Sequence, residues 1–248
     1  MSKQLMIDAD YSEHLTLGSG DTISLRLIRP SDKEKMLRAF EELSDASRYK
    51  RFFGAKHRLT EEDLRYFTET DSLNHFALGA VAIDEDGVEG DGLAVARCVR
   101  LREDPDCAEV AITVIDRMQG KGIGRALLER LITAALERDI GRFRFLCLAR
   151  NLEMQNLVKQ VCRVVETHSD GDIIVAETEL PRDVPERTIP SAPERMFNFY
   201  QLFRAMAIHS VDLQICFGRS AVKRGVNSGL FGADLLRKFK RPGHPKSD

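Results

Sequence analysis

Apolar and polar residues alternate over residues 22–29, where Ile23, Leu25 and Leu27 are separated by Ser24 and Arg26, a period that predicts a half-buried strand ended by Pro30. Ser31-Asp32-Lys33-Glu34 then has the spacing of a capping box and predicts a helix reaching about Leu43. A short helix is predicted at residues 46–53, closed by Gly54, and another from Thr60, with Glu61, Glu62 and Asp63 in its first turn. Residues 75–83, 93–101 and 108–115 are rich in Val, Ile and Ala and are separated by Asp86-Gly87 and Asp104-Pro105-Asp106, which predicts an antiparallel meander. After Gly122, Ile123, Leu127, Leu131 and Ala135 recur at helical spacing against Glu129, Arg130, Thr133 and Glu137. A strand at 143–148, a helix from Asn151 to about Cys162, and a hairpin of 164–168 with 173–180 through Asp170-Gly171 complete a mixed α/β pattern.

Pro181, Pro185, Pro190 and Pro193 then break regular structure and mark a linker. The expected layout is an N-terminal segment (1–21), a catalytic domain (22–180), a linker (181–193), and an aromatic helix with a basic tail (194–248). Met196, Phe199, Tyr200 and Phe203 form an apolar stripe in that last segment, expected to pack on its own domain or on a second copy. Residues 219–248 carry a net charge of +6, which leaves −8 on the rest of a chain whose total is −2. The basic residues follow the helix rather than line its polar face, so packing on its own domain or in a homo-oligomer is preferred to membrane-surface docking, and nucleic acid is not expected as a partner.

With 248 residues and 43% hydrophobic content the chain can bury one sizeable core. Charged residues, 31% of the chain, interrupt every apolar run short of a bilayer span. Residues 1–10 have neither a basic start nor an apolar stretch, which predicts a soluble, cytoplasmic protein. Cys98, Cys107, Cys147, Cys162 and Cys216 are scattered, with no C-x-x-C pair, so they are expected to be reduced and mostly buried, and no metal site is expected.

The candidate chemistry lies in Gln119-Gly120-Lys121-Gly122-Ile123-Gly124, between a strand and a helix. Three glycines let the backbone approach a ligand, and the free N–H groups of a helix start suit a pyrophosphate. A dinucleotide fingerprint counted from Gly120 would need glycine where Arg125 stands, and a Walker loop would need Ser or Thr where Gly122 stands. Both are disfavoured.

These six residues resemble the Q/R-x-x-G-x-G/A acetyl-CoA motif of the GNAT acetyltransferases, and Arg125-Ala126-Leu127-Leu128 continues the likeness. The resemblance covers most of residues 23–180. Ser47-Arg48-Tyr49-Lys50-Arg51-Phe52-Phe53-Gly54 and Leu59-Thr60-Glu61-Glu62-Asp63-Leu64 are more narrowly similar to the acetyltransferase domain of bacterial protein lysine acetyltransferases. The resemblance implies a mostly antiparallel, splayed sheet flanked by helices, with a C-terminal extension, and acetyl-CoA as acyl donor. It implies that the amides of residues 119–125 hold the pyrophosphate. Pantetheine would run along residues 108–115 with main-chain contacts near Ile112 and Val114, and Asn151 would contact cofactor or substrate. Asn151 is equally placed to cap the helix after it.

A lysine amine, with pKa near 10.4, must lose a proton before it attacks. Glu109 aligns with the family's glutamate base, on the strand face opposite Val110, Ile112 and Val114; pairing with Arg97 or Arg100 is the structural reading of the same residue. Two positions depart from the family pattern: Val158 stands where a tyrosine often protonates the leaving thiolate, and Cys162-Arg163 replaces Gly-Phe. The expected function is direct acetyl transfer from acetyl-CoA to a primary amine, a protein lysine or a small molecule. The alternative is a non-catalytic acyl-CoA sensor.

Overall fold

The structure, a computed structural model, describes residues 5–181. The expectations for the linker beyond Pro181, the aromatic helix, the basic tail and Cys216 fall outside the described residues. An eight-stranded open sheet forms the centre, with β1 (Ser12–Thr16), β2 (Thr22–Leu27), β3 (His75–Ile83), β4 (Glu89–Arg100), β5 (Cys107–Val114), β6 (Arg142–Leu148), β7 (Arg163–Asp170) and β8 (Ile173–Glu179). The order is β1-β2-β3-β4-β5-β6-β8-β7, antiparallel throughout except for β5 and β6. The helices are α1 (Lys33–Glu41), α2 (Asp45–Phe52), α3 (Glu61–Thr68), α4 (Ile123–Glu137) and α5 (Leu152–Val161). The mixed α/β fold with a mostly antiparallel sheet and flanking helices is therefore borne out.

The parallel pair needs a long crossover, and α4 supplies it. Its apolar stripe is fully used: Ile123, Leu127, Leu131 and Ala135 are buried in the common core with Phe76, Val110 and Phe143. Arg138, just past its C-terminus, lays its guanidinium over the Phe76 ring at 4.5 Å and donates to the carbonyls of Ala134 (2.9 Å) and Ile7 (2.8 Å).

Several boundaries differ from the sequence pattern for identifiable reasons. Residues 12–16, ahead of the predicted first strand, form β1, which adds an edge to the sheet against β2. Its inward positions are Glu13 and Leu15, and Glu13 is buried because Arg130 of α4 meets both its carboxylate oxygens at 3.1 Å while Tyr11 donates to it. The capping box assigned to Ser31 and Glu34 is replaced by Asp32. Its carboxylate accepts from Arg29 N (2.8 Å) and from both terminal nitrogens of buried Arg26 (2.7 and 2.8 Å), so the acid is committed to the end of β2. At the end of α2 it is Phe53, with φ 55°, rather than Gly54, that takes the left-handed cap.

Candidate active site

β5 lies between two neighbours over only part of its length. Against β4 it pairs through residues 108–114, whereas the parallel ladder with β6 runs from Cys107 opposite Arg142 to Val110 opposite Phe145 and stops. Beyond that point β6 continues toward Leu148 on β8, and among the described residues no strand pairs with the other edge of residues 111–114. Alternation decides which groups occupy that edge. Cys107 O accepts from Leu101 N and Ile115 N donates to Leu93 O, so odd-numbered residues bond to β4 and the main-chain groups of Ile112 and Val114 face the gap. Gln119 takes one of them: its Nε2 donates to Val114 O at 3.0 Å and to Ser47 Oγ at 3.3 Å.

A cleft opens at this gap, lined by Ile112, Thr113, Val114, Gln119, Asn151 and Glu153, with Ser47, Lys50 and Arg51 of α2 on its other wall. α2 is tied across it at both ends. Asp116, just after β5, accepts from Ser44 N (3.0 Å), Ser44 Oγ (2.7 Å) and Ser47 Oγ (2.9 Å). Burial alone would raise the Asp116 pKa, but those donors hold it below the usual value, so it is a carboxylate. At the far end Lys50 Nζ meets Glu153 at 2.7 Å.

The glycine loop adjoins this cleft. Gly120 and Gly122 have φ of 74° and 77°, the left-handed region that L side chains rarely enter, and a Cβ on Gly120 would project into open space. Gly122 is the N-cap of α4 and supplies no side-chain cap, whereas α2, α3 and α5 are capped by Ser44, Thr60 and Asn151. The first-turn amides of α4, from Ile123 through Gly124 and Arg125, therefore present a positive helix end. Ile123 itself is buried; Lys121 Nζ is held by Asp21 Oδ2 at 3.0 Å and Arg125 Nε by Glu129 at 3.0 Å. Asn151 serves as the cap of α5, its Oδ1 accepting from Met154 N at 3.3 Å, and lines the cleft as well. A strand edge with free amide groups leading to an uncapped helix start has the chemistry to hold a peptide-like arm that ends in a pyrophosphate.

Glu109 is placed differently. It lies in the fully paired half of β5, only 3% exposed, and does not line the cleft. It faces Val99 across the sheet, while Arg97 faces Ala111, so Glu109 and Arg97 are diagonal neighbours on one face. Arg100 pairs with Ala108 and lies on the other face, where it donates to Asn74 Oδ1 at 2.9 Å. Arg97 is buried with its guanidinium against the carbonyls of Tyr66 (3.4 Å) and Phe67 (2.5 Å) and against His75 Nε2, and the His75 ring stacks on Tyr66 at 4.6 Å. Burial, then the Arg97 charge, pushes His75 down to about 3, so its imidazole is neutral and accepts from Arg97. Burial also raises the Tyr66 phenol, with Arg97 opposing and Glu109 adding to the rise.

The structure thus gathers Ile112, Val114, Gln119 and Asn151 in one cleft, sets residues 120–125 beside it, and puts Glu109 apart in a buried polar group. Ser47, Lys50, Arg51, Thr113 and Glu153 were not singled out as site residues in the sequence. Thr113 had a signal, a hydroxyl in the otherwise apolar run Ala111-Ile112-Thr113-Val114. Val158, where the family often has tyrosine, is buried in the core. Cys98, Cys107, Cys147 and Cys162 are all buried, and burial pushes the Cys107 and Cys162 thiols up to about 12, which makes them poor nucleophiles.

Residues 37–162 match the model of the acetyltransferase (GNAT) family. Acetyltransferase Pat of Mycolicibacterium smegmatis is 32% identical over 176 residues, which are 71% of this chain and 50% of that protein, so the chain spans half the length of this relative. Among solved structures, the GNAT domain of S. lividans PAT superposes with a TM-score of 0.63 at 29% identity, over 70% of this chain and 99% of that one. The structure of yncA from Salmonella typhimurium with its cofactor acetyl-CoA shares the fold, with a TM-score of 0.51 at 17% identity, over 69% of this chain and 99% of that one.

Proposed function

Because this chain belongs to the GNAT acetyltransferase family, we propose that it transfers an acetyl group from acetyl-CoA directly to a primary amine, and that the acceptor is a protein lysine. The observation that carries this reading is the half-open strand β5, whose free edge at Ile112 and Val114 leads to the uncapped start of α4. In this reading Ile112 and the Val114 N–H pair with the amides of the pantetheine arm. The amides of residues 120–125 hold the pyrophosphate, with Lys121 exchanging Asp21 for a phosphate oxygen. Gln119 fixes the turn between the two by holding Val114 O. Asn151 supports the cleft wall at the start of α5.

Proton removal falls to Glu109, reached from the cleft by a water relay, since only a few lysine amines in roughly ten thousand are neutral at pH 7. With Val158 in the core, the leaving thiolate takes its proton from solvent. The lysine acceptor follows from the resemblance of residues 47–54 and 59–64 to the acetyltransferase domain of bacterial protein lysine acetyltransferases, and acetyl transfer as such is supported by the likeness to acetyltransferase Pat. The layout of a catalytic domain at residues 22–180 followed by a packing helix belongs to the same reading, as does a cytoplasmic location.

A screen of acetyl-CoA turnover across protein, peptide, polyamine and drug amines, with product masses recorded, tests this function. Amine-dependent formation of an N-acetyl product on lysine is expected. Binding of acetyl-CoA with no amine-dependent turnover would instead establish the non-catalytic sensor.

A further inference from the structure

Thr113 sits in the middle of the open half of β5 and lines the cleft, yet the residue is only 8% exposed. Its Oγ1 is shielded from solvent and has no hydrogen-bond partner among the described residues. Other buried threonines are satisfied by the fold itself: Thr68 Oγ1 donates to Leu64 O at 2.8 Å and Thr178 Oγ1 to Phe143 O at 3.4 Å. Opposite Thr113 stands Val95, which offers nothing polar, and the chain neighbours are Ile112 and Val114. Valine has the same shape and a similar preference for strands, so the hydroxyl lowers the stability of the ligand-free fold unless something else bonds to it.

Position along β5 indicates what that partner is. Read from Glu109 to Gln119, the strand runs from the proposed proton acceptor to the proposed phosphate loop. Thr113 is four residues from Glu109, roughly 13 Å at strand spacing. In an acyl-CoA the amides of the pantetheine arm occupy the corresponding interval, between the thioester sulfur and the pyrophosphate. A hydroxyl can donate to an amide carbonyl or accept from an amide N–H. We propose that the Thr113 hydroxyl, turned toward the cleft by rotation about χ1 as the ligand seats, binds an amide of the pantetheine arm, adding a side-chain contact to the main-chain edge of Ile112 and Val114. This inference rests on the acyl-CoA reading of the cleft.

The test compares wild type, Thr113→Val and Thr113→Ser by thermal unfolding without ligand and by calorimetry with acetyl-CoA and with adenosine 3′,5′-bisphosphate, which lacks the arm. Thr113→Val is expected to melt at or above the wild-type temperature and to bind acetyl-CoA roughly 2- to 13-fold more weakly, the size of one neutral hydrogen bond. Its affinity for the bisphosphate should be unchanged, and Thr113→Ser should bind acetyl-CoA within about threefold of wild type. Three results would overturn the proposal while leaving the acyl-CoA reading intact: wild-type affinity in Thr113→Val, an equal loss for both ligands, or a lower melting temperature of the ligand-free valine variant. Wild-type protein that binds acetyl-CoA no better than the bisphosphate would overturn both.

Discussion

The two halves of β5 share one strand and one neighbour and differ in the other. Residues 107–110 are bonded to β4 and β6 and hold Glu109 under the sheet, whereas residues 111–114 keep β4 alone and border the cleft. The closed half is paired on both sides, which serves stability. The open half withholds some of them, as a strand must if it is to pair with a ligand in the way it would pair with another strand. α4 repeats the contrast along its length: its middle and end are packed in the core, while its first turn has no side-chain cap.

Substitutions that separate the halves should give separable effects. The largest is expected at Glu109→Gln, a near-isosteric change in the closed half: turnover at pH 7 should fall by roughly 10²–10⁴ with acetyl-CoA affinity retained, and rising pH should recover part of it. Normal steady-state rates with an amine acceptor would make Glu109 structural. Asp32→Ala, remote from both halves, takes one of two carboxylates from the buried Arg26 guanidinium, which keeps Glu89 at 2.6 Å. It should cost about 3 kcal/mol by denaturant unfolding, since two charge-assisted hydrogen bonds from buried Arg26 and the bond from Arg29 N are lost together, and acetyl-CoA should still stabilise the folded variant. Gly122→Val attacks the open side, because valine is strained at φ 77° and intrudes on the helix start. A hundredfold excess of acetyl-CoA over its dissociation constant stabilises a native site by about 2.7 kcal/mol, and that thermal shift should vanish in the variant.

pH dependence should come from the closed side. His75 is neutral in the folded protein down to about 3 but protonates near 6.5 when unfolded. Between those values the unfolded chain binds more protons, so stability should fall as pH drops through the window. His75→Gln should flatten that slope in melts taken from pH 7 to pH 4. The smallest effect is expected at Lys50→Met, which removes a largely exposed pair with Glu153 across the cleft mouth. Stability should change by about 1 kcal/mol or less.

Sequence periodicity exposes elements whose burial is one-sided and apolar. The stripe of α4 and the meander of β3, β4 and β5 were legible for that reason, as was the Asn151 cap of α5. β1 was not, because its inward positions include Glu13, and an acid becomes compatible with the core only through Arg130 and Tyr11, distant or off-strand partners that no local pattern reveals. Asp32 was misplaced for the same reason: its tie to Arg26 is tertiary. Within the site, the glycine loop was legible from composition, since few other uses explain three glycines at a helix start. The point where β5 parts from β6 was not, because alternation is identical on either side of Val110. Thr113 and the group around Glu109 depend on where that parting falls.

Amide hydrogen exchange of β5, with and without acetyl-CoA, tests most directly whether the open half is the ligand edge. Without ligand, Ile112 and Val114 should exchange faster than Ala111 and Thr113, whose amides bond to β4. Acetyl-CoA should then protect Ile112, Val114 and the first-turn amides of α4, Ile123, Gly124 and Arg125, and leave Ala108 and Val110 as they were. Saturating acetyl-CoA that leaves the exchange of Ile112 and Val114 unchanged would contradict the ligand edge.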